Sequence, residues 1–205
     1  MQFRFSTKNL LFVLCLVPFA VLIFNAVTSN LGTNPIEKIR LFTGDWTLYF
    51  ILITLAVTPL RKLTGRNELI RYRRMLGLYA FFYACLHFLS YIILDQFFDW
   101  EEIGRDIIKR PYITIGIAAY VLLLPLAFTS TNRMMKRLGK NWKRLHRLIY
   151  VIATLGVLHF LWLVKADVRE PVLMGIILIT LLALRLSWIK NIKLFLQART
   201  AEQQQ

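Results

Sequence analysis

Three histidines are the residues of this sequence best suited to chemistry. His87, His146 and His159 are the only histidines in the 205 residues, and His87 and His159 lie deep within long apolar stretches. An imidazole is costly in hydrocarbon unless it has a partner, which makes such a residue a candidate functional group. Three roles are open at this point: a metal or haem ligand, a proton relay, or an interhelical hydrogen bond.

The elements that carry these histidines are predicted to be membrane-spanning helices. Hydrophobic residues make up 57% of the chain and its mean hydropathy is +0.54. A helix needs roughly 20 mostly apolar residues to cross a bilayer. The fold class predicted is all-α, a polytopic bundle of about six transmembrane helices, with loops too short for a separate soluble domain. The predicted spans are residues 10–28, 46–60, 75–94, 112–128, 145–164 and 172–189, the first being an uncleaved span rather than a signal peptide.

The net charge of +15 follows the pattern of a membrane topology rather than that of a nucleic-acid-binding face. With both termini on one side, that side carries 19 Lys and Arg residues and two acidic ones, whereas the other side carries seven and nine. Cytoplasmic segments of membrane proteins are enriched in Lys and Arg. The sequence therefore predicts that both termini are cytoplasmic, in a bacterial inner membrane, with the lipid bilayer as a partner and no nucleic acid.

Depth along the helices groups two of the histidines. His87 lies 12 residues beyond Met75 at the start of the third span, which is about 18 Å along a helix. His159 lies 13 residues beyond His146, which is about 20 Å. Both spans enter from the cytoplasm, so the two imidazoles are predicted to lie at one depth near the outer face. Two such rings on different helices are typical of a haem clamped in a bundle core.

His146 is predicted to lie near the cytoplasmic face, where it is a candidate ligand of a second haem iron. No fourth histidine exists to complete a second pair, so Met75, a shared histidine, water or no ligand at all remain open as its mate. A spacing of 13 residues also separates His146 and His159 around an ideal helix. The sequence therefore leaves the second site half specified.

Arginines and aromatic residues surround these histidines in the sequence. Basic residues at the cytoplasmic edge are candidates to bind haem propionates or a flavin phosphate, and equally to contact anionic lipid. They are Arg71, Arg73, Arg74, Arg144 and Arg147. The aromatic residues of the third span are candidates to line a porphyrin. The chain has no nucleotide-binding motif, so electrons from NAD(P)H would have to arrive through a separate protein.

Four stretches of the chain resemble the MsrQ family, also called YedZ, of haem-binding membrane subunits. They are TGDWTLYFILITLAVTPLRKLTG (43–65), RRMLGLYAFFYACLH (73–87), PYITIGIAAYVLLLPLAFTS (111–130) and NWKRLHRLIYVIATLGVLHF (141–160). The wider relatives are the transmembrane cores of ferric reductases and NADPH oxidases. The resemblance implies a single ferric reductase-like transmembrane domain over residues 1–205.

The resemblance also implies a function, cofactors and partners. Such subunits bind haem b, one or two per chain, with FMN as a second reported cofactor, and the family's haem-linked histidines match His87, His146 and His159. They pass electrons from a quinone or a cytoplasmic flavin reductase to a periplasmic molybdopterin-containing methionine sulfoxide reductase, which repairs oxidised periplasmic proteins. Catalysis is then expected on the partner, and this chain is expected to conduct electrons. Ferric reductases usually have four histidines where this chain has three, which leaves the number of haems open.

Two alternative functions remain at the level of sequence. A stand-alone ferric or metal reductase would need no partner. A small proton-coupled transporter would use the histidines as a relay, but the spans contain few other ionisable residues.

Overall fold

All regular structure in the described part of the chain is helical. The computed structural model describes the backbone of residues 7–202 and the side chains of residues 7–186. The α-helices are α1 (Thr7–Val27), α2 (Pro35–Thr64), α3 (Arg73–Ser90), α4 (Trp100–Lys109), α5 (Pro111–Phe128), α6 (Asn132–Leu138), α7 (Lys140–Leu145), α8 (Leu148–Leu163) and α9 (Arg169–Glu202). A 3-10 helix (Asn67–Arg71) precedes α3, and a π-helical turn (Tyr91–Asp95) extends it.

Five of these helical segments are long and apolar enough to cross a membrane among the residues described. They are Thr7–Val27, Pro35–Thr64, Arg73–Asp95, Pro111–Phe128 and Lys140–Leu163. The sixth predicted span, residues 172–189, lies within α9, and the side chains from residue 187 onward lie outside the described part. The predicted fold class, a polytopic helical membrane bundle, is confirmed.

The second span is much longer than the predicted residues 46–60. Helix α2 has 30 residues and begins at Pro35, where the side chain of Asn34 accepts a hydrogen bond from the Glu37 amide at 3.3 Å. Asparagine at the N-cap and proline in the first turn are favourable helix starts. The prediction that the second span begins at Trp46 was wrong, because Pro35 forms the first turn of the helix and Gly44 lies inside it.

The fifth span also differs from the predicted continuous helix over residues 145–164. Helix α7 ends at Leu145, and a turn at His146 and Arg147 separates it from α8. The rotation expected for 13 residues of unbroken helix therefore does not apply to the pair His146 and His159.

Helix α1 is fastened to α3 by two tyrosine hydroxyls. Tyr83 is fully buried, donates a hydrogen bond to the Cys15 carbonyl at 2.9 Å and accepts one from the Phe19 amide at 3.1 Å. Its hydroxyl therefore stands between two groups that an unbroken helix would pair with each other, beside the helix-internal Pro18. Tyr79 donates to the Phe12 carbonyl at 2.8 Å.

Two helix pairs, α2 with α3 and α5 with α8, form the centre of the bundle. The ring of Phe50 stacks on Tyr83 at 5.2 Å between centroids, within one continuous apolar core. The short amphipathic helix α4 lies between the third and fourth spans. The buried carboxylate of Asp106 in α4 accepts hydrogen bonds from Tyr91 and Gln96 and pairs with Arg110. These contacts tie α4 to the π-helical turn and to the start of α5.

Candidate functional site

His87 and His159 face each other across a cavity between the two central helix pairs. Their ring centroids are 6.1 Å apart and the ring planes are inclined by 79°. His87 comes from the last turn of α3 and His159 from the last turns of α8. The structure therefore brings together the two histidines that the depth argument paired.

A backbone carbonyl orients each imidazole. Nδ1 of His87 lies 2.9 Å from the Arg40 carbonyl oxygen, and Nδ1 of His159 lies 2.6 Å from the Tyr112 carbonyl oxygen. A carbonyl only accepts, so in both rings Nδ1 carries the proton and donates. The Nε2 lone pair is then left for another ligand. Metal-bound histidines are usually oriented in this way, because the second hydrogen bond fixes the tautomer and the ring plane.

A glycine lies against each imidazole. A Cβ atom on Gly44 would lie 3.1 Å from Cε1 of His87, and one on Gly116 would lie 2.7 Å from Nδ1 of His159. At 2.7 Å the His159 ring could not keep its place beside a side chain at position 116. The 3.1 Å contact between a Cβ at position 44 and His87 would be tight. Glycine therefore allows the helix backbone to approach each histidine closely.

The two halves of the cavity are related by a constant offset in the sequence. Each histidine lies 47 residues beyond the residue whose carbonyl it contacts. Adding 72 to Arg40, Gly44 and His87 gives Tyr112, Gly116 and His159, all of which line the cavity. The same offset pairs every lining residue except Ile152 with another lining residue. Helices α2 and α3 therefore correspond to α5 and α8 as an internal repeat with an approximate two-fold axis through the cavity.

The donor set of this cavity fits a haem iron. A metal held between two imidazoles lies about 2 Å from each nitrogen, and so about 3 Å from each ring centre. The centres of two such rings would be roughly 6 Å apart, close to the 6.1 Å observed. Among the residues with described side chains, no group of three or more His, Cys, Asp or Glu is placed to hold a bare metal ion. Two axial imidazoles suffice for haem, because the porphyrin supplies the other four ligands.

The walls of the cavity also suit a flat apolar cofactor. The space between the walls, counting its open mouth, is about 1130 Å³. Most of the lining is aliphatic or aromatic. Of the aromatic residues in α3 and the turn after it, Phe88 and Tyr91 line the cavity, whereas Tyr79 and Tyr83 bond to α1.

His146 is placed apart from this pair, at the end of α7. Its ring stacks on Trp142 with centroids 3.9 Å apart, and its Nε2 lies 3.1 Å from the Thr129 hydroxyl oxygen. That hydroxyl donates to the Pro125 carbonyl at 2.6 Å, so it accepts from His146. Nδ1 is then the nitrogen of His146 left for a further ligand. Met75, one of its proposed mates, packs against the hydrophobic core.

Four residues of the site were not found from the sequence: Arg40, Gly44, Tyr112 and Gly116. Arg40 and Gly44 lie in the part of α2 that precedes the predicted second span, residues 46–60. Arg40 and Tyr112 contact the histidines through backbone carbonyls, which every residue has, so residue type does not identify them. The 72-residue offset between two Gly and His pairs was the available signal. None of the cytoplasmic arginines predicted to flank the histidines lines this cavity. Arg73 is close enough to His146 to interact with it electrostatically, and Arg74 donates to the Asn132 side chain in α6.

Comparison with known proteins places the chain in a family. Residues 43–157 match the family described as "Ferric reductase like transmembrane component". The protein-methionine-sulfoxide reductase heme-binding subunit MsrQ of Herminiimonas arsenicoxydans is 55% identical over 184 residues, which cover 88% of this chain and 84% of that protein. The protein of the same name from Rhodospirillum rubrum is 55% identical over 176 residues, 85% of each chain.

A third relative with this name, from Xanthomonas oryzae pv. oryzae (strain MAFF 311018), is 52% identical over 189 residues, which cover 89% of this chain and 86% of that protein. No solved structure matches the chain. The matched region contains all of α3 and α5 and most of α2 and α8, with His87 and His146, and it ends two residues before His159. The relatives extend the match over most of the chain. The chain therefore belongs to the MsrQ family, within the ferric reductase-like transmembrane proteins.

Proposed function

We propose that this protein is the haem-binding, electron-transferring membrane subunit of a methionine sulfoxide reductase system, with haem b held between His87 and His159. The observation that carries the proposal is the facing pair of imidazoles, 6.1 Å apart, each with Nδ1 bonded to a carbonyl. The relatives are named as heme-binding subunits of such a reductase. The proposal treats residues 1–205 as one ferric reductase-like transmembrane domain in the bacterial inner membrane.

Each feature of the cavity has a role in this function. Haem iron, when bound, accepts and releases one electron at a time. The Arg40 and Tyr112 carbonyls keep each imidazole in the tautomer that presents Nε2. Nδ1 donation also increases the electron density on Nε2, which makes it a better ligand. The apolar walls exclude water, so that little rearrangement accompanies a change of charge at the site.

The charge distribution supports an outward direction of electron transfer. By the positive-inside rule, α2 and α5 begin at the outer face, and the residues of these helices that line the cavity, 40–51 and 112–123, lie toward their N-terminal ends. His146, near the inner face, is proposed as a ligand of a second haem, for a total of one or two per chain. FMN remains a further proposed cofactor, with no residue of this chain assigned to it.

The proposed partner is a periplasmic, molybdopterin-containing methionine sulfoxide reductase subunit. The relatives' names support the reductase, and the outer position of the cavity supports delivery on the periplasmic side. A quinone or a cytoplasmic flavin reductase is proposed as the electron donor. In this scheme the chain carries electrons and the partner reduces the sulfoxide.

Electron delivery to the partner tests this proposal directly. Purified protein is reduced with stoichiometric dithionite and mixed with the oxidised partner and methionine sulfoxide while the reduced b-type absorption bands are followed. The partner is added in a catalytic amount, so that alone it accepts only a small fraction of the electrons. We expect the bands to decay completely only when sulfoxide is present as well. The His87→Ala variant, matched in all other respects, should lack the bands of the haem held between His87 and His159, and with them the electron transfer to the partner. Colourless wild-type protein, or bands that persist with partner and sulfoxide, would refute the proposal.

A stand-alone ferric reductase is the second candidate, favoured by the ferric reductase-like family match. Replacing the partner with a soluble Fe(III) chelate in the same experiment separates the two functions. Rapid oxidation by the chelate and none by the partner would favour the second candidate. A proton-coupled transporter would instead give colourless protein and a pH-dependent flux in proteoliposomes.

A further inference from the structure

The internal repeat makes the two halves of the cavity alike in shape but not in polarity. At the outer rim, Arg40 corresponds to Tyr112, and one turn further in Asp45 corresponds to Ile117. The inner end is apolar in both halves, with Ile51 matched to Leu123. Any acidic group of a bound ligand is therefore excluded from the inner end by the cost of burying an unpaired charge.

Arg40 is the basic residue among those that line the cavity. Its main chain contacts His87, and its side chain reaches toward Asp95, which lies beyond His87 at the end of the π-helical turn. The guanidinium therefore lies on the outer side of the histidine pair. It is close enough to both His87 and His159 to interact with them electrostatically.

The guanidinium of Arg40 is only partly satisfied by the protein. Its Nε atom is buried and has no hydrogen-bond partner. The nearest carboxylate oxygen, on Asp95, lies 3.6 Å from it, which is an ion pair but too long for a good hydrogen bond. A buried donor without an acceptor costs about 1–3 kcal/mol, so a bound acceptor at this position is favoured.

The other charged and polar groups near the rim are engaged elsewhere. Asp45 is attracted by Lys38, is repelled by Glu170 and, as a carboxylate, offers no donor to an anion, and the Tyr91 hydroxyl donates to Asp106. Arg40 is therefore the group at the rim with an unused donor for an anion. A guanidinium is well matched to a carboxylate in shape and charge.

We propose that Arg40 binds a propionate carboxylate of the haem and so seats the porphyrin with its acidic edge at the outer rim of the cavity. The proposal rests on the proposed function, because it requires haem between His87 and His159. It assigns Arg40 two separate roles. Its backbone carbonyl orients His87, and its side chain selects the orientation of the porphyrin.

Esterified haem tests the side-chain role separately from the backbone role. Apoprotein produced under haem limitation is titrated with haemin and with haemin dimethyl ester, which lacks the two carboxylates. We expect the wild type to bind haemin at least about tenfold more tightly than the ester, as for a hydrogen bond to a charged group. In Arg40→Gln the residue-40 carbonyl remains, so the ester should bind as in the wild type while the preference for haemin falls to near unity.

Two further variants complete the design. Lys109→Gln removes a positive charge from an exposed residue of α4 that does not line the cavity, and it should keep the wild-type preference. Arg40→Lys keeps the positive charge and should keep most of the preference for haemin over its dimethyl ester. If Arg40→Gln binds neither porphyrin, the preference measured in Arg40→Lys is the test of the side-chain role. An unchanged preference in Arg40→Gln, or no preference in an Arg40→Lys variant that binds both, would overturn the proposal. If the wild type binds neither porphyrin, the proposed function itself fails, which is a distinct result.

Discussion

Two glycines control the position of the two histidines at the scale of single residues. Glycine is generally unfavourable inside a helix, where it costs about 1 kcal/mol relative to alanine. Gly44 and Gly116 lie inside α2 and α5, and each touches the imidazole of the opposite helix in its pair. A larger residue at either position would displace the imidazole of His87 or His159, which explains why glycine is found there despite its low helix propensity.

The Gly116→Ala variant should lose most of its bound haem. The new Cβ would meet Nδ1 and Cε1 of His159 at 2.7 and 2.8 Å, and so would disrupt its hydrogen bond to the Tyr112 carbonyl. Gly44→Ala should retain more haem, because the nearest contact there is 3.1 Å. Haem per purified chain is the measurement. Gly104→Ala is the control, since nothing lies within 4 Å of its Cβ position. Equal haem content in all three variants would contradict the account.

The His146→Ala variant should keep the haem that is proposed at His87 and His159. His146 contacts Thr129 and Trp142 and does not line the cavity. If the wild type contains two haems per chain, this variant should contain one, and the low-spin signal of the haem at His87 and His159 should be unchanged. If the wild type contains one, haem content should not change. Complete loss of haem from folded His146→Ala protein would show that the grouping of the histidines is wrong.

The two histidines of the site could be predicted from residue types, but the backbone carbonyls and glycines that position them could not. His87 and His159 stand out because imidazole is rare and costly in apolar helices. The Arg40 and Tyr112 carbonyls could not be predicted, because every residue has a carbonyl and only tertiary packing selects one. Gly44 lies outside the predicted second span, residues 46–60, although in the fold it is inside α2 and lets that helix approach His87.

At the scale of elements, helix α2 shows how packing overrides local signals. The prediction placed its start at Trp46, eleven residues after the observed start at Pro35. The first turns of α2 contain a charged Arg40 and a Gly44, which lower local hydropathy and helix propensity. The Asn34 cap and the contact with α3 supply the missing stability. The spans with uniform apolar composition, such as α5, were predicted nearly to the residue.

Tyr83 links the elements α1 and α3, and removing its hydroxyl should loosen α1. In Tyr83→Phe the Phe19 amide and the Cys15 carbonyl lose their shared partner in a buried environment. We expect a loss of about 1–3 kcal/mol of stability, the cost of unsatisfied buried polar groups. Thermal unfolding in detergent measures it. The control is Tyr72→Phe, at a half-buried tyrosine just before α3. Equal unfolding midpoints for the two variants would exclude this role for Tyr83.

At the scale of the whole molecule, the charge distribution supports the proposed orientation of the bundle and the proposed side of electron delivery. Both helix pairs of the internal repeat enter from the same face, so their histidines meet at one depth. The repeat itself escaped the sequence reading because only a few of its positions are identical between halves, such as Gly44 and Gly116. Three of the eleven pairs that line the cavity are identical: Gly44 with Gly116, His87 with His159, and Phe88 with Phe160.

Labelling of single cysteines tests this orientation. In a background with Cys15 and Cys85 replaced by alanine, Glu101→Cys and Lys165→Cys should react with a membrane-impermeant thiol reagent in intact spheroplasts. Arg66→Cys and Lys140→Cys should react only after the membrane is opened. All four positions are exposed, so access depends on the side of the membrane alone. The opposite labelling pattern would reverse the proposed direction of electron transfer.

The central claim, that His87 and His159 are the two axial ligands of one haem, is tested most directly by the low-temperature electron paramagnetic resonance spectrum of the oxidised protein. Two axial imidazoles with planes near the observed 79° should give a strongly anisotropic low-spin ferric signal. We predict that this signal is present in the wild type and in His146→Ala and is absent from His87→Ala and His159→Ala. Retention of the signal and of full haem content in both of the latter variants would contradict the account.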